Sequence, residues 1–203
     1  MNNSCHQTLP KEFPSLLKFG KGERILTQDE LFGGYFLIKS GLVKTVRNQD
    51  KGTSRLLSIK NQGEFLGEFY EEEGCQKSSY SAYALEDNTW IEMISWEEDP
   101  SHKLDRILRT LQEEIFSVRK RLERMLYIGA EERIIQVIKD LGYRLGKKFG
   151  DETLLKLPLT HEEIAMLTDT SRQTVTMVLS SLKSQNKINY SRGRILFRNL
   201  DSL

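Results

Sequence analysis

Residues 159–179 read LTHEEIAMLTDTSRQTVTMVL, and this stretch decides the fold of the C-terminal part of the chain. Thr160 with Glu163 three residues later matches a capping box, which predicts that a short helix begins here. Ser171 predicts the N-cap of a second helix, because a serine hydroxyl accepts a hydrogen bond from an unpaired N–H group of the first turn. Asp169 suits a tight turn between them, since aspartate tolerates a left-handed backbone. The stretch therefore predicts a helix-turn-helix.

The second of these helices has one apolar face and one polar face. Its apolar residues have the i, i+3, i+4, i+7 spacing of a buried face, and they are Val175, Val178, Leu179 and Leu182. In a helix-turn-helix, the second helix contacts base edges of DNA from its N-terminal end. Before this motif, the pattern predicts a packed helix over residues 131–145, a turn over residues 146–151 and a short strand over residues 154–157.

A β-hairpin, here called the wing, is predicted over residues 188–197, with the turn sequence Ser191-Arg192-Gly193-Arg194 at its centre. Residues 170–200 contain six basic side chains and no acidic one. Residues 1–100 have a net charge of −5 and residues 101–203 a net charge of +6, so a polyanionic partner is expected at the C-terminal half. The residues predicted to contact double-stranded DNA are Ser171, Arg172, Gln173, Thr174, Thr176, Met177, Lys183, Arg192 and Arg194.

A long amphipathic helix is predicted from Ser101 to Tyr127. Its apolar residues alternate at spacings of four and three over three heptads, on an otherwise charged helix. An apolar face this narrow favours pairing with a second helix, so a homodimer is predicted, and packing of the helix on its own domain is the alternative. The residues predicted to form the dimer interface are Leu104, Leu108, Leu111, Ile115, Val118, Leu122 and Met125, and they are called the heptad face below.

The N-terminal part of the chain is predicted to consist mainly of β-strands. Short apolar runs alternate with glycines from Phe19 to Trp96, and residues 90–94 alternate as expected of a half-buried strand. Asp50-Lys51-Gly52 predicts a hairpin turn. Many short strands joined by glycine-containing turns indicate a sandwich or a small barrel.

Two N-terminal segments, FLIKSG at residues 36–41 and LSIKNQGEFLGE at residues 57–68, resemble the effector-binding barrel of the CRP/FNR transcription regulators. Residues 171–175 and the Arg-Gly-Arg-Ile of the wing are similar to the winged helix-turn-helix of the same family. The resemblance implies an α+β fold with three parts. These are a β-barrel or jelly-roll domain of the cyclic-nucleotide-binding type over residues 1–100, a dimerisation helix over residues 101–127 and a winged helix-turn-helix over residues 128–203.

The resemblance implies a homodimeric, sequence-specific transcription regulator that binds a palindromic DNA site and works with RNA polymerase. Arg172 is predicted to make a bidentate contact with a guanine. Gln173 stands where glutamate is common in the family, and its amide suits adenine. Met177 replaces a second guanine-binding arginine of many members and offers an apolar contact, such as one to a thymine methyl group. Phosphate contacts are predicted for Lys183, Arg192 and Arg194.

The resemblance also places an effector pocket at Gly67 and Glu68. The Arg-Ser pair with which cyclic-nucleotide binders hold the phosphate falls on Ser78-Ser79 here. Without that arginine, tight binding of cyclic AMP is not expected, so the effector is a different small molecule or is absent. Arg119 is the remaining candidate for contact with an anionic effector. The alternatives are a solvent-exposed flank of the heptad face for Arg119 and a structural turn carboxylate for Glu68.

No catalytic, metal or cofactor site is predicted. Cys5 and Cys75 are too few for a cysteine-ligated iron–sulfur cluster, and the three histidines are scattered. No glycine-rich phosphate loop and no nucleophile–base pair points to an enzyme. No apolar run approaches the ~20 residues that span a bilayer, so a cytoplasmic protein without a membrane partner is expected. The alternative function is a β-barrel sensor that acts through a protein partner, with its basic hairpin binding another anion.

Overall fold

The computed structural model describes residues 16–32, 34–49, 52–67, 76–95 and 100–203. The chain divides into two compact units, residues 1–115 and residues 116–203, and one long helix runs across the division. The strands of the first unit are β1 (Leu16–Phe19), β2 (Arg24–Leu26), β3 (Leu31–Phe32), β4 (Gly34–Ser40), β5 (Val43–Asn48), β6 (Ser54–Lys60), β7 (Phe65–Leu66), β8 (Gln76–Lys77), β9 (Ser81–Ala84) and β10 (Thr89–Ser95).

Helix α1 spans Pro100–Tyr127, which confirms the long helix predicted from the heptad pattern. The elements after it are α2 (Ala130–Leu145), β11 (Lys147–Phe149), β12 (Glu152–Lys156), α3 (His161–Leu167), α4 (Arg172–Ser184), β13 (Ile188–Ser191) and β14 (Arg194–Phe197). The predicted domain boundaries at residues 100 and 128 stay predictions.

The first unit is built from two four-stranded antiparallel sheets and a two-stranded pair. The sheets have the strand orders β1-β10-β4-β7 and β2-β9-β5-β6, and β3 pairs with β8. Residues of both sheets share one buried core, which consists of Leu26, Ile38, Val43, Leu66, Ala82 and Ile91. The arrangement is jelly-roll-like and confirms the predicted α+β class, although the described strands do not close into a barrel.

Strand β10 departs from the simple alternation predicted for residues 90–94. Ile91 and Ile94 are both buried although they lie three residues apart, and a register shift follows Trp90. Ile91 joins the core shared by the two sheets, whereas Ile94 packs with a second cluster that contains Tyr35 and Phe65. Successive strand residues point to opposite faces, so β10 buries side chains on both of its faces.

The turn predicted over residues 146–151 is wrong for residues 147–149, which form a strand. Lys147–Phe149 is strand β11, and Phe149 lies opposite Glu152 on β12, so only Gly150 and Asp151 connect the two strands. Gly150 has a φ of 61°, the left-handed conformation that a two-residue hairpin turn needs. All three residues of β11 are exposed. A strand with no buried residue has no alternation of apolar and polar residues in its sequence, so the pattern did not indicate this strand.

In the second unit, α2 and α4 pack against the sheet β11-β12-β14-β13, and α3 packs on these two helices. Helix α2 confirms the helix predicted over residues 131–145 and buries Ile134 and Ile138. Gly142 allows close packing on the C-terminal segment, because a Cβ atom there would lie 2.9 Å from Leu200 and 3.1 Å from Phe197. This packing supports the sheet from which the wing extends.

Candidate nucleic-acid interface

The start of helix α4 is fixed by the cap that the sequence predicts. The Ser171 hydroxyl accepts a hydrogen bond from the Thr174 N–H at 3.0 Å and lies 2.8 Å from the Thr174 hydroxyl. Upstream, Thr160 and Glu163 form the predicted capping box of α3. The Ser171 and Thr174 hydroxyls are therefore engaged within the chain, where they hold the first turn of α4 in place.

Helix α4 separates its buried and exposed faces as predicted. The buried residues are Val175, Val178, Leu179 and Leu182. Arg172 and Gln173 are exposed beside the cap, and Met177 is 57% exposed one turn later. Arg172 makes no ion pair within the described residues, so its guanidinium is available to a partner from outside the chain. Gln173 and Met177 are four residues apart and so lie on one side of the helix, and together with Arg172 they are called the exposed patch of α4.

Thr176 is exposed on the same face, but its hydroxyl has partners within the chain. It donates to the Arg172 carbonyl at 2.9 Å and lies 2.9 Å from His161 Nδ1. A hydroxyl has one proton, so His161 must donate from Nδ1 when Thr176 donates to the carbonyl. His161 begins α3, and no pattern in the sequence indicated that it lies beside the predicted DNA-contacting residues.

The wing has the predicted form. Ser191 lies opposite Arg194, so Arg192 and Gly193 form a two-residue turn in which Gly193 has a φ of 75°. Arg192 and Arg194 are exposed at this turn, and neither makes an ion pair within the described residues. Arg198, at the far end of the wing, instead pairs with Glu152 on β12.

Helix α4 and the wing meet at Tyr190. Lys183 Nζ lies 5.3 Å from the centroid of the Tyr190 ring, and the Ser180 and Tyr190 hydroxyls lie 3.3 Å apart. The cation–π contact places the Lys183 ammonium group at the junction between helix and hairpin. Lys183, the predicted phosphate-binding residue of α4, therefore contacts the hairpin that carries Arg192 and Arg194.

Two arginines bind the turn of the helix-turn-helix. Asp169 has a φ of 49°, as its position in a tight turn requires. Arg121 of α1 binds both Asp169 carboxylate oxygens at 2.8 Å and donates to the Met166 carbonyl at 3.0 Å. Arg133 of α2 donates to the Thr168 carbonyl at 2.6 Å and to the Asp169 carbonyl at 3.1 Å. The sequence did not reveal these contacts, because they join residues that are far apart in the chain.

A second set of ion pairs joins the end of α1 to α2. Asp140 accepts from Lys120 Nζ at 2.9 Å and pairs with Arg124. Burial acts to raise the pKa of Asp140, but the hydrogen bonds and charges of Arg124 and Lys120 outweigh burial and leave this pKa below its usual range. The carboxylate is therefore ionised at neutral pH and stabilises the packing of α1 on α2.

Among the predicted effector residues, Gly67 and Ser78 are hydrogen-bonded within the chain, whereas Ser79 and Arg119 are exposed. The Gly67 N–H donates to the Tyr80 hydroxyl at 2.8 Å, and Glu68 lies outside the described residues. Ser78 is fully buried and donates to the Tyr80 carbonyl at 2.6 Å, so its hydroxyl is used within the chain. Ser79 is exposed, and Arg119 is exposed on α1.

A buried lysine lies next to the strand that leads to Gly67. The side chain of Lys60 is 6% exposed, donates from Nζ to the Phe65 carbonyl at 2.8 Å and pairs with Glu114 of α1. A buried ammonium group is costly unless it is paired and hydrogen-bonded. The Glu114 carboxylate therefore supplies the negative charge that the buried Lys60 ammonium group requires.

The heptad face is exposed along most of its length. In the single chain, Leu108, Ile115, Val118, Leu122 and Met125 are between 48% and 66% exposed, and Leu111 is half-buried. The side chain of Leu104 lies outside the described residues. A row of large apolar side chains exposed at heptad spacing is typical of a helix that pairs with another helix.

Comparison with known proteins agrees with this geometry. A cyclic nucleotide-binding domain model matches residues 16–98, and a Crp-like helix-turn-helix domain model matches residues 132–203. The chain belongs to the CRP/FNR family of transcription regulators. Like other CRP/FNR regulators, it is a DNA-binding transcription regulator.

Several CRP/FNR relatives are similar over most of the chain. The CRP-like cAMP-activated global transcriptional regulator of Mycobacterium tuberculosis is 24% identical over 202 residues, which cover 97% of this chain and 87% of the relative. The cyclic AMP receptor protein of Thermus thermophilus is 27% identical over 192 residues, which cover 89% of this chain and 82% of the relative.

Two solved structures share the fold of this chain. A CRP-family transcriptional regulator of Thermus thermophilus has a TM-score of 0.76 at 22% identity and covers 92% of this chain and 93% of its own. FixK2 of Bradyrhizobium japonicum has a TM-score of 0.75 at 18% identity, with the same coverage of both chains. Within the described ranges, no helix is long and apolar enough to cross a bilayer, and no group of three or more His, Cys, Asp or Glu side chains is arranged to hold a metal ion.

Proposed function

We propose that this CRP/FNR regulator acts as a homodimer on a palindromic DNA site. The exposed heptad face supports the dimer, because pairing with a second copy would remove its large apolar side chains from water. In such a dimer, two α4 helices related by the two-fold axis would enter successive major grooves about 34 Å apart. The site would then consist of two inverted half-sites, each bound by one copy of the chain.

The observation that carries specific DNA recognition is the exposed patch of Arg172, Gln173 and Met177 at the capped end of α4. We expect Arg172 to donate two hydrogen bonds to a guanine, with a discrimination of about 1–3 kcal/mol against other bases. Gln173 suits adenine, and Met177 suits an apolar base edge such as the thymine methyl group. Lys183 and the two wing arginines would hold phosphates, which add affinity without sequence preference.

The proposed regulator does not depend on cyclic AMP. Ser78 and Ser79 stand where the phosphate-binding Arg-Ser pair is expected, and the Ser78 hydroxyl is already hydrogen-bonded within the chain. The buried Lys60 is paired with Glu114 rather than left to bind a phosphate. Regulation would then follow a chemically different effector or the concentration of the protein itself. RNA polymerase is the proposed protein partner on the DNA.

Selection of binding sites from a random duplex library, with purified protein and no effector, tests the proposal. We expect a palindrome to be enriched, and Arg172→Ala to abolish the enrichment by removing the guanine contact. Arg198→Ala is the matched control, since Arg198 is a basic residue of the same domain that already pairs with Glu152. The control should enrich the same palindrome as the unmodified protein.

Two results would contradict parts of the proposal. Enrichment that appears only when cyclic AMP is added would refute independence from that nucleotide. Binding that shows neither sequence preference nor dependence on salt would refute specific DNA recognition and favour action through a protein partner, because phosphate contacts always make DNA affinity fall with salt.

A further inference from the structure

The turn between α3 and α4 is held by side chains from outside the helix-turn-helix. Arg121 binds both carboxylate oxygens of Asp169 and the Met166 carbonyl. Arg133 binds the carbonyls of Thr168 and Asp169. The Arg121–Asp169 pair is half-buried, with side chains 31% and 23% exposed, so solvent screens it only in part.

The geometry of the Arg121–Asp169 pair restricts orientation as well as distance. A guanidinium that donates two parallel hydrogen bonds to one carboxylate fixes both the separation and the relative angle of the two groups. Asp169 is at the turn immediately before α4, and Arg121 is on the last part of α1. The pair therefore restricts the angle between the axis of α1 and the recognition helix within the second unit.

Arg121 precedes Leu122 of the heptad face on α1. In the proposed dimer, the same turn of α1 would contact the second copy through Leu122 and hold the DNA-binding domain through Arg121. A change in the angle of α4 relative to α1 would then shift the two recognition helices relative to each other. The distance between half-sites depends directly on that arrangement.

We propose that Arg121 and Asp169 are positioning residues that set the half-site spacing recognised by the dimer. The inference rests on the proposed homodimer and deepens it, since it names the contact that links the dimer helix to the angle of the recognition helix. Neither residue needs to contact DNA for this role. Loss of the pair should leave the half-site sequence unchanged and alter only the arrangement of two half-sites.

At Asp169, one substitution removes the ion pair without straining the backbone, so an effect on positioning can be told apart from an effect on folding. Glycine adopts a φ of 49° more readily than aspartate does, so Asp169→Gly removes the carboxylate without adding backbone strain at this position. Asp169→Asn keeps a residue that tolerates the left-handed conformation but removes the negative charge. Arg121→Met removes the guanidinium of the same ion pair. The Arg121→Met, Asp169→Gly double variant completes a double-mutant cycle, which measures the coupling between the two residues.

The test is a selection from duplexes that carry two fixed inverted half-sites separated by random spacers of different length. We expect the unmodified protein to enrich one spacing. Each single variant should enrich several spacings and bind the original spacing about tenfold more weakly, a typical size for coupling between linked elements. The double variant should be no weaker than the weaker single variant. Affinity for a duplex with one half-site should not change.

Arg109→Met is the matched control, because Arg109 is an exposed arginine of α1 without an ion pair among the described residues. It should keep the single spacing. If the unmodified protein prefers one spacing and all three single variants of the pair keep it, the positioning role is refuted while the proposed dimer stands. If the unmodified protein shows no spacing preference, the proposed dimer fails and the inference fails with it. Urea unfolding of every variant confirms that the protein tested is folded.

Discussion

At the scale of single residues, the proposed recognition of DNA depends on a few side chains at the capped end of α4. Ser171 and Thr174 form the cap, which leaves Arg172 and Gln173 exposed at the first turn of α4. The sequence predicted all four as contacts to DNA, and it does not distinguish a capping hydroxyl from a base-contacting one. In the structure the Ser171 and Thr174 hydroxyls are hydrogen-bonded within the first turn of α4, and we therefore expect base specificity to depend on Arg172, Gln173 and Met177.

Exchange of Gln173 for glutamate should change the preferred base. A glutamine amide both donates to and accepts from adenine, whereas a carboxylate only accepts and suits the amino group of cytosine. We expect Gln173→Glu to shift the preference from adenine to cytosine at one position of each half-site, with a discrimination of about 1–3 kcal/mol. Competition among duplexes that carry each of the four bases at that position measures it.

Gln185→Glu is the control for this exchange, since it makes the same change of charge at the C-cap of α4, away from the exposed patch. It should lower affinity for all four duplexes alike. An unchanged base preference in Gln173→Glu would show that Gln173 does not contact a base edge.

The buried Lys60 gives a second prediction at the residue scale. Glu114→Gln leaves the buried ammonium group without its counter-charge, so we expect a loss of about 1–3 kcal/mol in the free energy of unfolding. Lys60→Met should cost less, because an apolar chain of similar length can replace a buried ion pair with little loss. The Lys60→Met, Glu114→Gln double variant should resemble Lys60→Met alone.

Tryptophan fluorescence during urea unfolding measures this loss in the correct unit, since both tryptophans, Trp90 and Trp96, belong to residues 1–115. If Lys60→Met proves more destabilising than Glu114→Gln, then packing of the lysine chain, rather than its charge pairing, stabilises this region.

At the scale of elements, the sequence predicted what local patterns determine. The capping box at Thr160, the N-cap at Ser171 and the hairpin of the wing are local signals, and the structure has all three. Strand β11 was missed, because its three exposed residues carry no alternation. The Arg121–Asp169 pair was also missed. It joins residues 48 positions apart, and such contacts depend on the tertiary fold rather than on spacing.

The ion pairs between α1 and α2 predict a dependence of stability on pH. The pKa of Asp140 is lower in the folded chain than its ordinary value of 3.8, so ionised Asp140 stabilises the fold at neutral pH. This contribution is present above that ordinary value and is lost as the pH falls through the lower folded pKa. Asp140→Asn should therefore be less stable than the unmodified protein by about 1 kcal/mol at pH 7, given its partial exposure.

The stability difference between Asp140→Asn and the unmodified protein should shrink as the pH falls below 3.8. Urea unfolding followed by circular dichroism at 222 nm measures it across pH, since most helical residues lie in α1 and the second unit. Asp151→Asn is the control, because Asp151 is exposed at the β11–β12 turn. An equal difference at pH 3 and pH 7 would show that the effect does not arise from ionised Asp140.

At the scale of the whole molecule, net charge differs between the two halves of the chain, and large apolar side chains are exposed along α1. The acidic N-terminal half repels a polyanion, whereas the basic C-terminal half attracts one, so a duplex is expected to meet the winged domain first. The heptad face lies on the helix that runs across the division between the units. Dimer formation along this helix would give two DNA-binding domains one two-fold axis, and binding of both half-sites would then be coupled.

A charged residue introduced on the heptad face should abolish the coupled binding of two half-sites while leaving the DNA contacts of each chain intact. Leu122 is 54% exposed in the single chain, so Leu122→Lys should not unfold it, but it should split the dimer by burying a charge in the helix pair. We expect sedimentation to show monomers, with weaker binding of a palindrome and unchanged binding of one half-site. Phe116→Lys is the control, because Phe116 is 67% exposed but lies off the heptad face. A dimer that survives Leu122→Lys, or dissociates in Phe116→Lys, would place the interface on another surface.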